Sequence, residues 1–251
     1  RAWLCAHPEY QLTNLQLKTY KLFIKRRVQR EPVAYILGHK EFYGLDFEVN
    51  KNVLIPRPET ELLIDEAIEE LVKCSASGGS NVRCGIVDVG TGSGAIVVAL
   101  AHKCRMQNAE CRIFATDTSK VALKVAKQNA RNNGAGDRIR FFQGNLLKPL
   151  FAKAELLSCQ SSALVIVANL PYIPSLAYKK LQPEIVNYEP KGALDGGSDG
   201  LKYYREMFKQ LSVFIRKHPC ISVLCLCEID PAQTQDFKKL ARKYFPKAKF
   251  K

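Results

Sequence analysis

The sequence lacks any apolar run long enough to cross a bilayer. No stretch approaches the roughly 20 uninterrupted apolar residues that a membrane span requires, and the first residues do not read as a charged leader followed by a hydrophobic segment. Hydrophobic residues still make up 47% of the 251-residue chain, which is enough to build a sizeable core. These features predict a globular protein with no membrane partner.

Metal-binding cysteine patterns are also missing. The nine cysteines are scattered, none forms a Cys-x-x-Cys pair, and none combines with a histidine into the ligand pattern of a zinc site. We therefore interpret them as reduced thiols with structural roles. This interpretation favours a reducing compartment, either the cytoplasm or an organellar matrix.

Acidic residues are scarce in the later part of the chain. The net charge is +14, and beyond residue 70 there are 28 basic residues against 13 acidic ones. A basic surface attracts RNA, ribosomes or acidic proteins through a long-range, salt-sensitive interaction, and it also keeps a protein soluble. Charge therefore allows proximity to a ribosome or RNA without identifying a partner.

The first part of the chain predicts helices joined by a hairpin. Thr13 or Asn14 can cap a helix that extends to about Arg30. Apolar stretches on either side of Gly44 predict a β-hairpin. A second helix, with carboxylates in its favourable first turn, opens at Pro56.

Beyond a flexible joint expected over residues 75–80, short apolar runs alternate with helical patterns. Strands are predicted over 85–89, 112–116, 139–143, 163–168 and 220–228, and helices over 94–106, 119–132, 200–217 and 231–244. This alternation is typical of a doubly wound α/β fold with a mainly parallel sheet. We expect the end of a helical domain at 1–32, a hairpin and connecting helix at 33–79, and the α/β domain at 80–251.

A glycine-rich loop follows the first strand of the α/β part. It comprises Asp88, Gly90, Thr91, Gly92, Ser93 and Gly94. Its glycines let backbone N–H groups approach a ligand at the positive end of the next helix. Asp117 ends the next strand, where a carboxylate can accept from both hydroxyls of a ribose. The pattern suits NAD and S-adenosylmethionine equally well, and a tight turn without a ligand is the plain alternative.

The fourth strand of the α/β part runs into a loop that hydride transfer would not need. The loop consists of Asn169, Leu170, Pro171 and Tyr172. If Asn169 Oδ1 and the Leu170 carbonyl each accept one N–H, they orient the lone pair of an amide or amino nitrogen toward a methyl donor. Pro171 stiffens the turn, and Tyr172 can lay its ring on a planar group. Alternatively, Asn169 caps a turn and Tyr172 belongs to the core.

Together these motifs predict a methyltransferase site at the carboxyl edge of the sheet. The glycine loop would cradle the methionine part of S-adenosylmethionine, and Asp117 would bind its ribose. Asn145 and Leu146, which follow the third strand, would contact the adenine. Asp88 either positions the loop or meets the methionine amino group. Asn169 would face both the cofactor and the methyl acceptor.

Six blocks of sequence carry a family resemblance. They lie at 31–38, 41–47, 53–63, 88–95, 169–174 and 188–197. In these blocks the chain resembles the N5-glutamine methyltransferases that modify peptide-chain release factors. The resemblance implies a class I S-adenosylmethionine-dependent methyltransferase fold after a helical domain and hairpin, with the glutamine of a Gly-Gly-Gln loop as substrate. It also implies that Gly90–Gly94, Asp117 and Asn169 bind the cofactor, and that Asn169–Tyr172 hold the glutamine.

Three features depart from that family. Its members usually have proline at the position of Leu170, so this loop gains a backbone N–H and loses rigidity but keeps the carbonyl. Asn145 replaces a usual aspartate and so exchanges a pure acceptor for a mixed group. The chain also starts in what reads as the end of a helix and stops before the last antiparallel strands of such sheets. We expect segments to be missing at both ends.

Other functions stay open. Asn-Leu-Pro-Tyr also resembles the loop of ribosomal RNA dimethyladenosine transferases, although those enzymes carry Glu-x-Gly-x-Gly at the glycine loop. Glutamine methylation of a ribosomal protein is disfavoured by the pattern at 57–61. A cofactor-binding module with weakened catalysis belongs to a different class. The 57–61 pattern itself either caps the following helix through Thr60 or lies near the target site.

Overall fold

The computed structural model describes residues 2–77, 84–106, 111–151 and 163–251. Helices in these ranges are α1 (Ala2–Ala6), α2 (Asn14–Val28), α3 (Val33–Leu37), α4 (Glu61–Ser77), α5 (Ala95–Met106), α6 (Lys120–Asn132), α7 (Lys148–Phe151), α8 (Ser175–Tyr178), α9 (Pro183–Tyr188), α10 (Lys202–Lys217) and α11 (Thr234–Tyr244). Strands are β1 (His39–Phe42), β2 (Leu45–Glu48), β3 (Cys84–Val89), β4 (Cys111–Asp117), β5 (Ile139–Gln143), β6 (Ala163–Ala168) and β7 (Ser222–Cys227). The predicted elements are confirmed, with shifts of a few residues at their ends.

The strand order places the two predicted loops side by side. Within the described residues, a parallel sheet runs in the order β5-β4-β3-β6-β7. The chain moves outward from β3 to β5 and then returns to β6 on the other side of β3. Val89 pairs with Ala168, so both strands end at the same level. Ligands of open α/β sheets bind at such a reversal, and here the glycine loop and the Asn169 loop meet.

Helices cover both faces of the sheet. Alternate residues of a strand point to opposite faces, and in β3 Ile86 joins the core cluster that includes α4 and α5. The next residue, Val87, joins the cluster that includes α10 and α11. Because both faces are covered, the central strands β3 and β6 are buried along their whole length, and their mainly apolar sequences made them identifiable.

The hairpin packs against the α/β domain through aromatic and amide contacts. Phe42 and Phe47 meet edge to face, with ring centroids 6.1 Å apart, and both belong to the core cluster of α5. Asn129 of α6 accepts from the Glu48 N–H over 2.8 Å and donates to the carbonyls of Glu48 and Ser93 over 2.9 and 2.8 Å. One carboxamide therefore connects the hairpin with the glycine loop.

The predicted joint over 75–80 is wrong in its first half. Helix α4 continues to Ser77, and residues 78–80 lie outside the described residues. The domain boundaries after residues 32 and 79 stay predictions. In the described part of the chain, no helix is both long and apolar enough to cross a membrane.

Candidate active site

The glycine loop is shaped by contacts with two neighbouring loops. Gly90 has a φ of 77°, and a Cβ built on it would lie 2.9 Å from Leu170 Cδ2. A Cβ on Gly92, with φ of 54°, would meet only the Gly90 carbonyl oxygen, at 4.0 Å. The glycines thus permit close packing on one side and leave open space on the other. This space is the cradle that a bound cofactor requires.

Asp117 holds the loop from the end of β4. Its Oδ2 accepts from the Gly92 N–H over 2.9 Å, and its Oδ1 accepts from the Ser119 N–H over 2.8 Å. Burial raises the pKa of Asp117, although these backbone bonds oppose the shift. The carboxylate lines the cavity beside the loop and retains lone pairs that can accept from hydroxyl groups.

Asp88 lies beneath the loop and is completely buried. Its Oδ2 accepts from the Thr91 hydroxyl over 2.7 Å. Burial raises the pKa of Asp88 to about 7. Of its two predicted roles, this geometry favours positioning the loop, because Asp88 does not line the cofactor cavity.

The candidate cofactor cavity has a volume of about 250 Å³. Predicted residues that line it are Gly90, Gly92, Asp117, Asn145, Leu146, Asn169, Leu170 and Pro171. Thr91 and Ser93 are buried, and Gly94 lies at the helix start against Ala126. Asn52–Leu54, from the segment after the hairpin, and Tyr203 of α10 also line it. A mixed polar and apolar lining of this kind fits a nucleoside with a charged tail.

Asn169 is held by two neighbours that are distant in sequence. Its Nδ2 donates to Thr60 Oγ1 over 3.0 Å and to Glu228 Oε2 over 2.9 Å. Among the described residues, no group donates to Asn169 Oδ1 or to the Leu170 carbonyl. The two acceptors that the sequence predicted for an amide or amine are therefore available.

Leu170 is buried, and its additional N–H has a partner. The N–H donates to the hydroxyl of Tyr204 over 3.3 Å. Tyr204 is buried as well and donates in turn to the Glu228 carbonyl. The departure from the usual proline thus leaves no unsatisfied donor in the loop.

Tyr172 forms one wall of a second cavity. Its hydroxyl donates to Glu228 Oε1 over 3.1 Å, and its carbonyl accepts from Gln233 Nε2 over 2.8 Å. Burial, followed by the nearby Glu228 carboxylate, raises the pKa of Tyr172 to about 12, so the phenol is neutral at physiological pH. The second cavity has a volume of about 130 Å³. Asn169, Leu170 and Pro171 line both cavities and separate them.

Comparisons with known proteins agree with this geometry. A family model described as a methyltransferase domain matches residues 80–242, and one described as a PrmC N-terminal domain matches residues 1–38. The release factor glutamine methyltransferase of Bacillus anthracis is 35% identical over 248 residues, covering 99% of this chain and 81% of that protein. That of Geobacter sulfurreducens is 40% identical over 205 residues, covering 82% and 64%.

The chain belongs to the release factor glutamine methyltransferase family. The predicted resemblance and the predicted class I S-adenosylmethionine-dependent methyltransferase fold are confirmed. Among solved structures, the hMettl16 catalytic domain in complex with MAT2A 3'UTR hairpin 6 has a TM-score of 0.54 and 18% identity, covering 80% of this chain and 67% of that one. At this identity the likeness supports the fold alone.

In this member of the release factor glutamine methyltransferase family, several site residues were not predicted. Glu228 directly follows β7, at the same sheet edge as Asn169, and an acidic residue ending an apolar strand was the available signal. The sequence left two roles open for Thr60: capping the following helix, or lying near the target site. Its hydroxyl donates to Glu228 Oε2 over 2.7 Å and accepts from Asn169, so it lies in the hydrogen-bond network around Asn169.

Arg57, from the same 57–61 pattern, also lies beside the second cavity. It forms an ion pair with the buried carboxylate of Glu189. Glu189 also accepts from the Ile55 N–H over 3.3 Å. Two of the resembling blocks, 53–63 and 188–197, are thus joined beside the second cavity.

Proposed function

We propose that this protein transfers a methyl group from S-adenosylmethionine to the side-chain nitrogen of the glutamine in the Gly-Gly-Gln loop of a peptide-chain release factor. The observation that carries the proposal is the carboxamide of Asn169. It is fixed by Thr60 and Glu228 at the wall between two cavities, and its oxygen accepts from no described residue. Family membership supports the choice of glutamine over other amides.

The chemistry requires help because the lone pair of an amide nitrogen is delocalised into its carbonyl. When bound, S-adenosylmethionine supplies an electrophilic methyl: nitrogen forms the new N–C bond, sulfur keeps the electrons of the broken S–C bond, and the surplus N–H proton leaves to water. Asn169 Oδ1 and the Leu170 carbonyl accept the two N–H groups and stabilise the positive charge that develops on nitrogen. They also orient the lone pair, since each fixes one N–H direction.

Pro171 and Tyr172 would position the glutamine side chain of the substrate. Pro171 limits the conformations of the loop by fixing its own φ. Tyr172, held through its hydroxyl by Glu228, offers a ring face to a planar amide. The narrow volume of the second cavity, about 130 Å³, suits a single side chain.

For the cofactor, we assign the larger cavity to S-adenosylmethionine. Asp88, Gly90, Thr91, Gly92, Ser93 and Gly94 would form or support the cradle for its methionine part. Asp117 would accept from the ribose, and Asn145 and Leu146 would contact the adenine. This assignment is supported by the open space beside Gly92 and by the lining of the cavity.

The test is methylation of an unmodified release factor, followed by mass spectrometry of the peptide that contains Gly-Gly-Gln. We expect the mass of one added methyl group, located on glutamine, and loss of the product in Asn169→Ala. Asn132→Ala, an exposed change of the same type on α6, should retain activity. An unchanged peptide mass with the wild-type protein would contradict the proposal.

The same assay separates the alternatives. Transfer of a labelled methyl group to ribosomal RNA would favour adenine-N6 methylation. Transfer to a ribosomal protein would favour a glutamine of that protein as the substrate. Binding of S-adenosylmethionine without any methyl transfer would favour a catalytically weakened module. We expect none of these outcomes. Family membership favours a release factor over ribosomal RNA or a ribosomal protein, and the available acceptor groups of the Asn169 loop argue against weakened catalysis.

We also infer proximity to a ribosome or RNA, and a reducing location, either the cytoplasm or an organellar matrix. Support for RNA comes from the +14 net charge and from exposed basic residues of α11, such as Lys239, Arg242 and Lys243. Support for the location comes from the described thiols. The sulfur atoms of Cys225 and Cys227 lie 3.5 Å apart and form no disulfide. Steeply salt-dependent RNA binding, and cell fractionation, would test the two inferences.

A further inference from the structure

The hydrogen bonds around Glu228 converge on a single carboxylate. Its Oε2 accepts from the Thr60 hydroxyl over 2.7 Å and from Asn169 Nδ2 over 2.9 Å. Its Oε1 accepts from the Tyr172 hydroxyl over 3.1 Å. No lysine or arginine of the described ranges forms an ion pair with Glu228. The carboxylate is thus committed to residues of the methyl-accepting site.

Donor and acceptor chemistry then determines which way Asn169 faces. An ionised carboxylate only accepts, so Glu228 requires donors from all three neighbours. The Thr60 hydroxyl has one proton, which it gives to Glu228, and its oxygen can therefore only accept from Asn169. Both neighbours demand the NH₂ group of Asn169. The opposite carboxamide orientation would set oxygen against oxygen twice.

The orientation of the Asn169 carboxamide determines which group the methyl acceptor meets. If the carboxamide of Asn169 were reversed, an NH₂ group would take the place of the available oxygen and would oppose the N–H groups of a methyl acceptor. Nothing else in the described surroundings of Asn169 selects between the two orientations. Thr60 is buried, and α4 begins directly after it, so the constraint is anchored in the fold.

We propose that Glu228 and Thr60 are positioning residues that hold Asn169 with its oxygen toward the methyl acceptor. The proposal rests on the proposed function and adds the reason why a carboxamide, which is symmetric in shape, acts here as an acceptor alone. Glu228 also lines the second cavity, whereas Thr60 does not. Both act through Asn169.

The principal test is Glu228→Gln, which keeps the size of the side chain but replaces one acceptor oxygen with a donor. The new NH₂ group can meet Asn169 Oδ1 and so stabilise the reversed orientation. We expect kcat for release-factor methylation to fall by at least about tenfold. The KM for the release factor and the Kd for S-adenosylmethionine should stay near wild type, because neither cavity changes shape. Wild-type kcat in this variant would overturn the proposal.

Two variants at Thr60 distinguish the loss of its hydroxyl from a general loss of folding. Thr60→Ser keeps the hydroxyl and should keep kcat, whereas Thr60→Val keeps the shape, removes the hydroxyl and should lower kcat. Equal kcat in the two variants, at equal thermal stability, would overturn the role of Thr60.

A rescue experiment addresses orientation directly. Asn169→Asp alone places two carboxylates against each other, and its activity should be low. In the double variant with Glu228→Gln, the new amide donates to one oxygen of the carboxylate introduced at position 169, while the other oxygen of that carboxylate faces the cavity. The double variant should be more active than Asn169→Asp alone, and a further loss would contradict the proposal. Absence of methylation by the wild-type protein would instead reject the proposed function.

Discussion

The hydroxyl of Tyr204 accepts a hydrogen bond from the backbone N–H of Leu170. Both residues are buried, so water cannot replace this bond. Tyr204 also donates to the Glu228 carbonyl, and it thereby joins the end of β7 to the Asn169 loop. In a protein with proline at position 170 the phenol would have no N–H to accept from. The Leu170 variant of the loop and the tyrosine of α10 therefore form a matched pair.

We expect Tyr204→Phe to destabilise the protein by about 1–3 kcal/mol, since a buried N–H and a partly buried carbonyl each lose their partner. Urea unfolding measures this change. In the Leu170→Pro background the N–H is absent, so the same substitution should cost less. Equal costs in the two backgrounds would show that the bond to Leu170 contributes nothing.

Gly90→Ala should weaken S-adenosylmethionine binding. The substitution adds strain at φ of 77° and places a methyl group 2.9 Å from Leu170 Cδ2, so the loop wall must move. Gly44→Ala is the control, because its φ of 73° carries similar strain with no atom within 4 Å. Calorimetric titration should give a raised Kd for Gly90→Ala and an unchanged Kd for Gly44→Ala. A similar Kd in both would contradict the role of the contact.

Asp88→Asn should change how stability depends on pH. The folded-state pKa of Asp88 is raised to about 7, while the pKa of an aspartate in the unfolded chain is about 3.9. The folded state therefore binds this proton more tightly, and the wild type loses stability as pH rises from about 4 to about 7, with a limiting slope of about 1.4 kcal/mol per pH unit. The variant lacks this loss, because its amide does not titrate. Parallel curves of unfolding free energy against pH for the two proteins would disprove the shift.

Asp117→Asn should reduce cofactor affinity. The carboxylate accepts from the N–H groups of Gly92 and Ser119 at once, and an amide in its place must point an NH₂ group at one of them. A loss of about 1–3 kcal/mol in binding free energy is expected. Asp137→Asn, an exposed change between α6 and β5, should leave the Kd unaltered. Fluorescence or calorimetric titration with S-adenosylhomocysteine would make the comparison without turnover.

The sheet and its loops could be predicted because the information is local. Each strand is an apolar run that ends in a glycine, carboxylate or amide, and the parallel order brings those ends to one edge. Gly90, Asp117 and Asn169 were found in this way. The glycine loop and the Asn169 loop could be located without knowledge of distant contacts.

The network around Asn169 could not be predicted in the same way. Thr60 lies 109 residues from Asn169 in the chain, and Glu228 lies 59 residues away. Their meeting depends on how the turn before α4 packs against the sheet edge, and no short pattern encodes this. Tyr204 of α10, which accepts from the Leu170 N–H, could not be predicted for the same reason. What remained open in the sequence was therefore tertiary contact rather than local structure.

Asn129 uses its whole hydrogen-bonding capacity apart from one lone pair, since its oxygen accepts one bond and its two N–H protons donate one each. Aspartate could not supply either proton, and glutamine would carry the group one methylene too far. Position 129 lines neither cavity, yet a substitution there would remove hydrogen bonds from the hairpin and from the glycine loop at once. Screens that look for active-site residues by proximity would miss it, and a loss of activity at this position would be mistaken for general instability.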